Sequence, residues 1–507
     1  MPAHQPRPRR TPPQGAGQLS ETPFPEAPSG ARLARNTLFS ALGEGSNLLL
    51  FVLGFAATRL LGPLSFGEYS TAFAFVGLFR ILPDFGMAYA STLAISRDRS
   101  RALHLIGALL GFQFWLSILT LCLCLALGSR LYHGVTWIAV VVLSLDLVLK
   151  AVKGTLRFLL KGLERFEVEA ASLLAERVLI LALGLWSLWT GYGVVGFVAV
   201  FTLVRGLDVV GLAAFVNTRV LPLRPSVDRA LWSELFRKGL PFAYAGLVIT
   251  LIFQVDAVLL EAMRGPWEVG YYRAPTQILE GLTLVPRILG FALIPTMAAL
   301  HQTAPAAVAA LYRRGCKYLL IVGLPIAAFG LLASDRFIPM LFGASFEPSI
   351  ALAQVLLPAA AFMFLSNFAE TTLACVNRWR AIVIASTLAL VLNVALNLLW
   401  IPTLGAIGSA RATLVTEIVY FAMTAGAMFR GGHHVGWLVI AVRPLVAAAL
   451  FGGVLQAAAG IGLIASTALA STAFVLAVFG LGTFDAKERS ALREVIHGQP
   501  PDTRALT

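Results

Sequence analysis

Arg273, Gln277, Glu280 and Arg287 stand at i, i+4, i+7 and i+14 in an otherwise apolar run. That spacing puts them on one helical face. Across those positions a helix rises about 21 Å, most of the thickness of a bilayer core. Ionisable groups at that depth are costly and face a cavity or a partner. The stripe is therefore the wall of a water-filled, net-cationic cavity or a buried salt-bridge ladder. Asp146, Lys150, Lys153, Arg157 and Lys161 share one face of a second run. Lys150 and Lys153 line the inner half of a cavity or snorkel to the membrane surface; Arg157 and Lys161 read as anchors. A third run carries Arg80 and Asp84 at i, i+4 beside Pro83, with Glu68 at its outer end. Proline there breaks the helix and frees backbone groups to line a cavity. Arg80 is a candidate ligand for an anion, and Asp84 either lines the same space or neutralises it. Arg59 serves the cavity mouth or is a plain interfacial charge. Arg205 with Asp208, and Glu176 with Arg177, read as structural pairs, while Glu44, Glu370, Arg411 and Glu417 are intramembrane charges with no evident role.

Arginine and lysine suit phosphate and carboxylate. An exporter of cationic drugs would instead show acidic and aromatic lining, so the surplus of arginine points to an anionic amphiphile such as a lipid pyrophosphate. No catalytic constellation accompanies these charges. There is no phosphate-cradling G-x-x-x-x-G-K-[ST] loop. His433-His434 lies without a cysteine partner, and Cys122, Cys124, Cys316 and Cys375 show no metal-ligand spacing and read as packing residues.

The elements that must hold these residues follow from composition. Of 507 residues, 58% are hydrophobic and only 13% charged, about half the charge that a soluble domain carries. A soluble enzyme and a disordered chain are both excluded. The apolar runs are continuous rather than alternating, which excludes an outer-membrane barrel. Fourteen of them are long enough to span a bilayer, so the expected fold is all-α and polytopic. Lys and Arg fall unevenly between them: 29 of 39 lie on the side that holds both tails, and only Arg59, Arg130, Arg264 and Arg336 on the other. The bias places both termini in the cytoplasm and supports an even number of spans. It also accounts for the net charge of +13 without nucleic acid as a partner.

The chain also repeats. Gly62-Pro63-Leu64-Ser65-Phe66-Gly67-Glu68-Tyr69 and Gly265-Pro266-Trp267-Glu268-Val269-Gly270-Tyr271-Tyr272 both read G-P-x-x-x-G-x-Y, 203 residues apart. Leu160, Arg165 and Phe166 match Leu373, Arg378 and Trp379 at 213, and Gly193 and Gly196 match Gly405 and Gly408 at 212. Unless Gly-Pro turns merely recur between spans, the unit is six spans. Two such lobes in the same orientation would rock about a central site, which is alternating access. The expected organisation is a disordered Pro/Arg-rich tail (1–33), an N-lobe (34–217), a cytoplasmic inter-lobe loop (218–238), a C-lobe (239–430), two further helices (431–484) and a charged tail (485–507).

The stretch Thr58–Tyr69, running into Phe75-Val76-Gly77-Leu78-Phe79 and Asp84-Phe85-Gly86, resembles the opening of bacterial Wzx-type polysaccharide-biosynthesis flippases. These belong to the multidrug/oligosaccharidyl-lipid/polysaccharide exporter superfamily. The resemblance covers about residues 33–485. It implies fourteen helices, two lobes in a V, a cationic central cavity and a polyprenyl-pyrophosphate-linked oligosaccharide as substrate, with Arg80 and Arg273 at positions that hold the pyrophosphate. O-antigen, capsule or exopolysaccharide units fit; a lipid II flippase is the nearest alternative and a cation-coupled drug exporter a more distant one. The sodium site of related lipid II flippases would fall on Asp256, Asn393, Asn397, Ser409 (by its carbonyl) and Thr413. All are oxygen ligands suited to a hard cation. The departure is Asn397, where that branch has a second carboxylate, so weak sodium binding or a proton at Asp256 is expected, unless Asp256 serves only as a helix–helix hydrogen-bonding residue. No cofactor is expected beyond that ion. The expected partners are the lipid-linked substrate, the bacterial inner membrane and a glycan polymerase with its assembly machinery. The expected working state is a monomer.

Overall fold

Gly62 and Gly265 decide how the chain enters its two halves. Their backbones adopt almost the same conformation (φ 73°, ψ 174° and φ 85°, ψ 175°), one that glycine reaches without strain. A proline follows each, in a first helical turn where a missing N–H is no loss. The computed structural model describes residues 45–88 and 102–485, with residues 38, 39, 43, 91, 92, 95 and 488 besides; the expected N-terminal tail, most of the C-terminal tail and Glu44 lie outside them. Within these bounds the structure is all-helical.

The helices are α1 (Asn47–Leu78), α2 (Ala102–Leu131), α3 (Gly134–Gly162), α4 (Phe166–Trp189), α5 (Gly193–Arg219), α6 (Arg229–Arg264), α7 (Pro266–Leu282), α8 (Leu284–Leu300), α9 (Pro305–Phe342), α10 (Ser349–Cys375), α11 (Trp379–Leu404), α12 (Ala406–Arg430), α13 (Trp437–Ala457) and α14 (Leu463–Gly480). Twelve segments among the described residues are long and apolar enough to cross a membrane, with α7 and α8 as one. The difference from fourteen lies in α1, which two expected spans share across Gly62, and in α4. The eighth span is not one helix: it is interrupted at Thr283, and Pro286 has no N–H to offer the carbonyl one turn back. Arg287 thus stands on a different helix from Arg273, Gln277 and Glu280.

The other repeat matches also carry matching backbones. Glu164 and Asn377 both have positive φ (59° and 57°). The next residue in each case closes the helix end, with Arg165 N donating to Leu160 O at 2.8 Å and Arg378 N to Leu373 O at 2.9 Å. Gly193 and Gly405 share φ 62°. The offset grows from 203 to 213 largely because α9 has 38 residues where α2 has 30.

Helices α1 to α5 pack on one another, as do α6 to α12, and the α13–α14 pair docks on α9. The two groups meet where α1 lies against α6 and α7. There the two motif copies cross reciprocally. A Cβ on Gly67 would stand 1.8 Å from the Pro266 carbonyl oxygen, and one on Gly270 2.0 Å from that of Pro63. A second reciprocal contact pairs Gly86 with Gly239, each within 2.7 Å of the other segment's carbonyl oxygen if a Cβ were added. Between them Gly77 meets Gln254 and Gly246 meets Ile81, so the seam runs antiparallel along residues 67–86 and 239–270. The loop joining the halves is strapped across α2. Ser226 N donates to Gly107 O at 2.9 Å, Trp232 Nε1 donates to Ala108 O at 2.8 Å, and Gly111 leaves room for the Ser226 carbonyl. Asp228 then caps α6 by accepting from Ala230 N and Leu231 N.

Candidate functional site

Four elements bring the first set of charges together: α1, the turn that follows it, α3 and α5. Arg80 and Lys150 are exposed, and neither has a hydrogen-bond or ion-pair partner among the described residues. Lys150 lies within electrostatic reach of Arg80, Arg177, Arg205 and Asp146. Asp84 does not neutralise Arg80: its Oδ1 accepts from Ala88 N at 2.9 Å and shapes the turn.

Behind this pair sits a closed ion network on α3, α4 and α5. Lys153, expected to line the cavity, is only 4% exposed and binds Glu176 and, at 2.5 Å, Asp208. Its charge is neutralised from both sides, which corrects the expectation. The neighbouring pairs are also rearranged. Arg205 binds Asp146 and, at 3.0 Å, Glu176, rather than Asp208; Asp208 accepts from Ser172 at 2.8 Å; Glu176 keeps Arg177 at 3.3 Å. Arg157, read as an anchor, binds Glu169, and Lys161 reaches the same carboxylate at 3.5 Å. Removing one partner of such a buried set strands the others, so the network fixes the backbone that presents Lys150.

The C-terminal half contributes through α7. Arg273 is 8% exposed and donates to Glu280 at 2.9 Å. Gln277 Nε2 donates to Thr58 Oγ1 on α1 at 2.7 Å. The stripe is thus in part a ladder and in part a link between the two halves. Tyr69, in the first motif copy, lies within electrostatic reach of Arg273 and Glu280 on one side and of Asp146 and Arg205 on the other. Arg287, on α8, is exposed and has no partner among the described residues; no contact places it beside Arg80. Arg59 donates to the Met340 carbonyl at 2.9 Å, and Glu68 is half-buried on α1.

A second constellation joins α6, α7, α11 and α12. Asp256, 7% exposed, accepts from Asn397 Nδ2 at 2.9 Å, from Thr413 Oγ1 at 3.2 Å and from Tyr272 OH at 2.8 Å. Asn397 also contacts Asn393 Oδ1 at 3.2 Å, and Thr413 donates to the Ser409 carbonyl at 3.1 Å. All five residues expected at an ion site are therefore neighbours. Asn397 Oδ1 is buried without a partner, an unused oxygen beside a carboxylate, and the donor set fits a hard cation. Tyr272 was missed from the sequence. The signal was present, because it is the last residue of the second motif copy, but its pairing with Asp256 sixteen positions earlier needs the turn at Gly265.

Two of the unassigned acids also gain partners: Tyr420 donates to Glu370 at 2.8 Å and Ser366 to Glu417 at 3.2 Å. Glu268 accepts from Ala406 N at 2.8 Å, capping α12 from the motif itself.

Comparisons with known proteins fit this architecture. The family model described as polysaccharide biosynthesis protein matches residues 33–301, more than half of the chain. No curated protein matches. Among solved structures, the lipid II flippase MurJ in an inward closed conformation superposes with TM-score 0.73 at 12% identity, covering 88% of this chain and 99% of that one. An inward-facing multidrug resistance MATE family transporter of the MOP superfamily gives 0.58 at 16%, covering 76% and 95%. A MOP superfamily transporter from Pyrococcus furiosus, described as having a binding pocket of reverse polarity, gives 0.51 at 16%, covering 78% and 95%. At these identities the likeness concerns the fold.

Proposed function

Since the chain belongs to the polysaccharide biosynthesis protein family, we propose that it is a flippase carrying a polyprenyl-pyrophosphate-linked oligosaccharide from the cytoplasmic to the outer leaflet of a bacterial inner membrane, both termini being cytoplasmic. The observation that carries this reading is the presence of Arg80 and Lys150, two exposed cations whose side chains have no partner among the described residues. They would grip the pyrophosphate, with Arg273 and Arg287 approaching from the other lobe. The lipid tail would stay in the bilayer while the head group crosses between the lobes by alternating access. An inside-negative potential favours outward movement of the anion, by about 2.3 kcal/mol per charge per 100 mV.

Coupling to sodium or protons belongs to the same proposal. Asp256, Asn393, Asn397, Thr413 and the Ser409 carbonyl would hold the ion, and a bound cation would give Asp256 a direct counter-charge where Arg273 acts only from a distance. Hydroxyl and amide donors now hold that carboxylate.

The test is depletion of the protein in its native cell, followed by lipid extraction and mass spectrometry. A polyprenyl-pyrophosphate glycan is expected to accumulate, and its mass names the cargo. Accumulation of lipid II would transfer the assignment to cell-wall synthesis, and unchanged pools of both, with no redundant transporter, would remove the flippase reading.

A further inference from the structure

Cations are scarce on the outer face. On the orientation proposed above, Arg59, Arg130, Arg264 and Arg336 are the four that the charge bias leaves there. Helices α2, α6, α9 and α11 end at this face. The last four carbonyls of a helix have no N–H of that helix to accept from, and a cation beside them also meets the negative end of the helix dipole. Arg130 stands in the last turn of its own helix, α2. Arg264, at the end of α6, donates to the Ile401 and Pro402 carbonyls of α11 in the same half, at 3.1 and 2.5 Å. Arg336 reaches the Leu332 carbonyl of its own helix at 3.5 Å. Of the four, Arg59 alone crosses between the halves, its Nη1 donating to the Met340 carbonyl of α9 at 2.9 Å. Helix α9 has no basic residue in its last turn, so it takes from α1 the charge that α2 carries for itself.

Around this contact α1 is closed on the end of α9. The rings of Phe55 and Phe342 lie 5.9 Å apart, and Phe66 is buried with Ile338, Phe342 and Phe346. The polar contact differs from that packing. Arg59 and Met340 are both exposed, so water can solvate the guanidinium and the carbonyl when they part, and no buried group is left unpaired. Parting them costs only the interaction of one charge with a helix end. The neighbouring residue, Thr58, accepts from Gln277 at 2.7 Å, so two polar links between the halves stand side by side on α1.

We propose that Arg59 is the latch of the outer face. Bound to Met340, it keeps the N-terminal half closed on α9, and its release lets the halves separate on that side. This rests on the alternating-access reading above, and it assigns Arg59 to the gate and not to the cargo.

The experiment needs no cargo. Thr190→Cys in the N-terminal half and Ser345→Cys in the C-terminal half, both exposed near the outer face, carry spin labels on a background without the four native cysteines. The full chain in nanodiscs is read by electron–electron double resonance. Two distances are expected, the shorter from the closed outer end. Arg59→Gln is expected to raise the ratio of long to short distance about tenfold, an effect of about 1.4 kcal/mol. Arg59→Lys is expected to raise it less, because lysine keeps the charge but not the planar fork. Arg130→Gln, an equal loss of charge on the same face, is expected to leave it unchanged. A ratio that Arg59→Gln does not move, or that Arg130→Gln moves equally, overturns the latch and leaves alternating access standing. A single distance in every variant removes both. Arg59 is exposed, so its loss is not expected to prevent folding; if it does, Arg59→Lys against Arg130→Gln decides in the same way.

Discussion

At the scale of single residues, the charges in this membrane protein divide by whether a counter-charge meets them. Arg80 and Lys150 meet none among the described residues, whereas Lys153, three residues further along α3, is enclosed by two carboxylates. The two kinds of lysine predict opposite phenotypes. Arg80→Ala is expected to reduce flipping at least tenfold with little change in thermal stability, and Arg273→Ala, which takes the partner from Glu280, to reduce it with a lowered melting temperature as well; lipid-linked glycan accumulation and a melting curve measure both effects, and unaffected flipping in both variants would remove the site assignment. Lys153→Ala takes the cation from Asp208 and one of three from Glu176, which keeps Arg205 and Arg177, and is expected to destabilise the fold by about 3–5 kcal/mol, the usual consequence of breaking a buried pair. Reduced yield and a lowered melting temperature would be seen before any specific transport defect. Tyr272→Phe removes one donor from Asp256 at a net loss of about 1 kcal/mol. If a cation competes with that hydroxyl for Asp256, the sodium or proton concentration giving half-maximal flipping is expected to fall about fivefold, which proteoliposome assays at graded ion concentrations would report. Proximity in sequence says nothing about which cation is neutralised, because the carboxylates come from α4 and α5. That is why the sequence placed Lys150 and Lys153 together.

At the scale of elements, the decisive pieces are the two Gly-Pro helix starts. Each opens a helix by the same backbone conformation, and each then lays a glycine on the other's proline carbonyl. The motif was legible as a repeat, since G-P-x-x-x-G-x-Y occurs twice. That its two copies touch was not legible, because the contact joins residues some two hundred apart. A side chain at Gly67 cannot coexist with this crossing, where a Cβ would overlap the Pro266 carbonyl. Gly67→Leu is therefore expected to abolish the closed crossing while each half still folds. Thiol labelling of a cysteine placed at Trp267, on a background without the four native cysteines, should rise in the variant; unchanged labelling would show that the seam yields elsewhere. The same helix carries the crossing at Gly270, the Asp256 partner Tyr272 and the buried Arg273, so a small displacement of α7 is felt at all three.

At the scale of the whole molecule, alternating access requires the seam between the halves to open and close. Thr58 and Gln277, 2.7 Å apart across it, offer a lock. With Thr58→Cys and Gln277→Cys on the cysteine-free background, a short reducible cross-linker is expected to stop flipping, and reduction to restore it. Full transport in the cross-linked protein would exclude rocking at this seam. Most of the buried cores lie within one half, with Met87, Leu109 and Leu159 in one and Tyr312, Phe364 and Phe368 in the other. The seam itself combines glycine contacts and a few polar links with an apolar cluster in which Phe66 of α1 is buried against Ala274, Ile338 and Phe342, so opening at that end costs more than breaking the Thr58–Gln277 link.

The sequence by itself determined the class of this protein, because composition and run length respond to the solvent and not to the partners of any residue. It determined the repeat and the helix boundaries at Gly62, Gly193, Gly265 and Gly405, because positive φ leaves a glycine in the chain itself. It also grouped Asp256, Asn393, Asn397, Ser409 and Thr413, through resemblance to a family. Only the tertiary structure decided which cations stay unpaired, that Tyr272 holds Asp256, and that Thr283 separates Arg287 from the stripe it seemed to share. The first two outcomes depend on groups supplied by other segments and the third on a local break beside Pro286, and helical spacing carries no information about either.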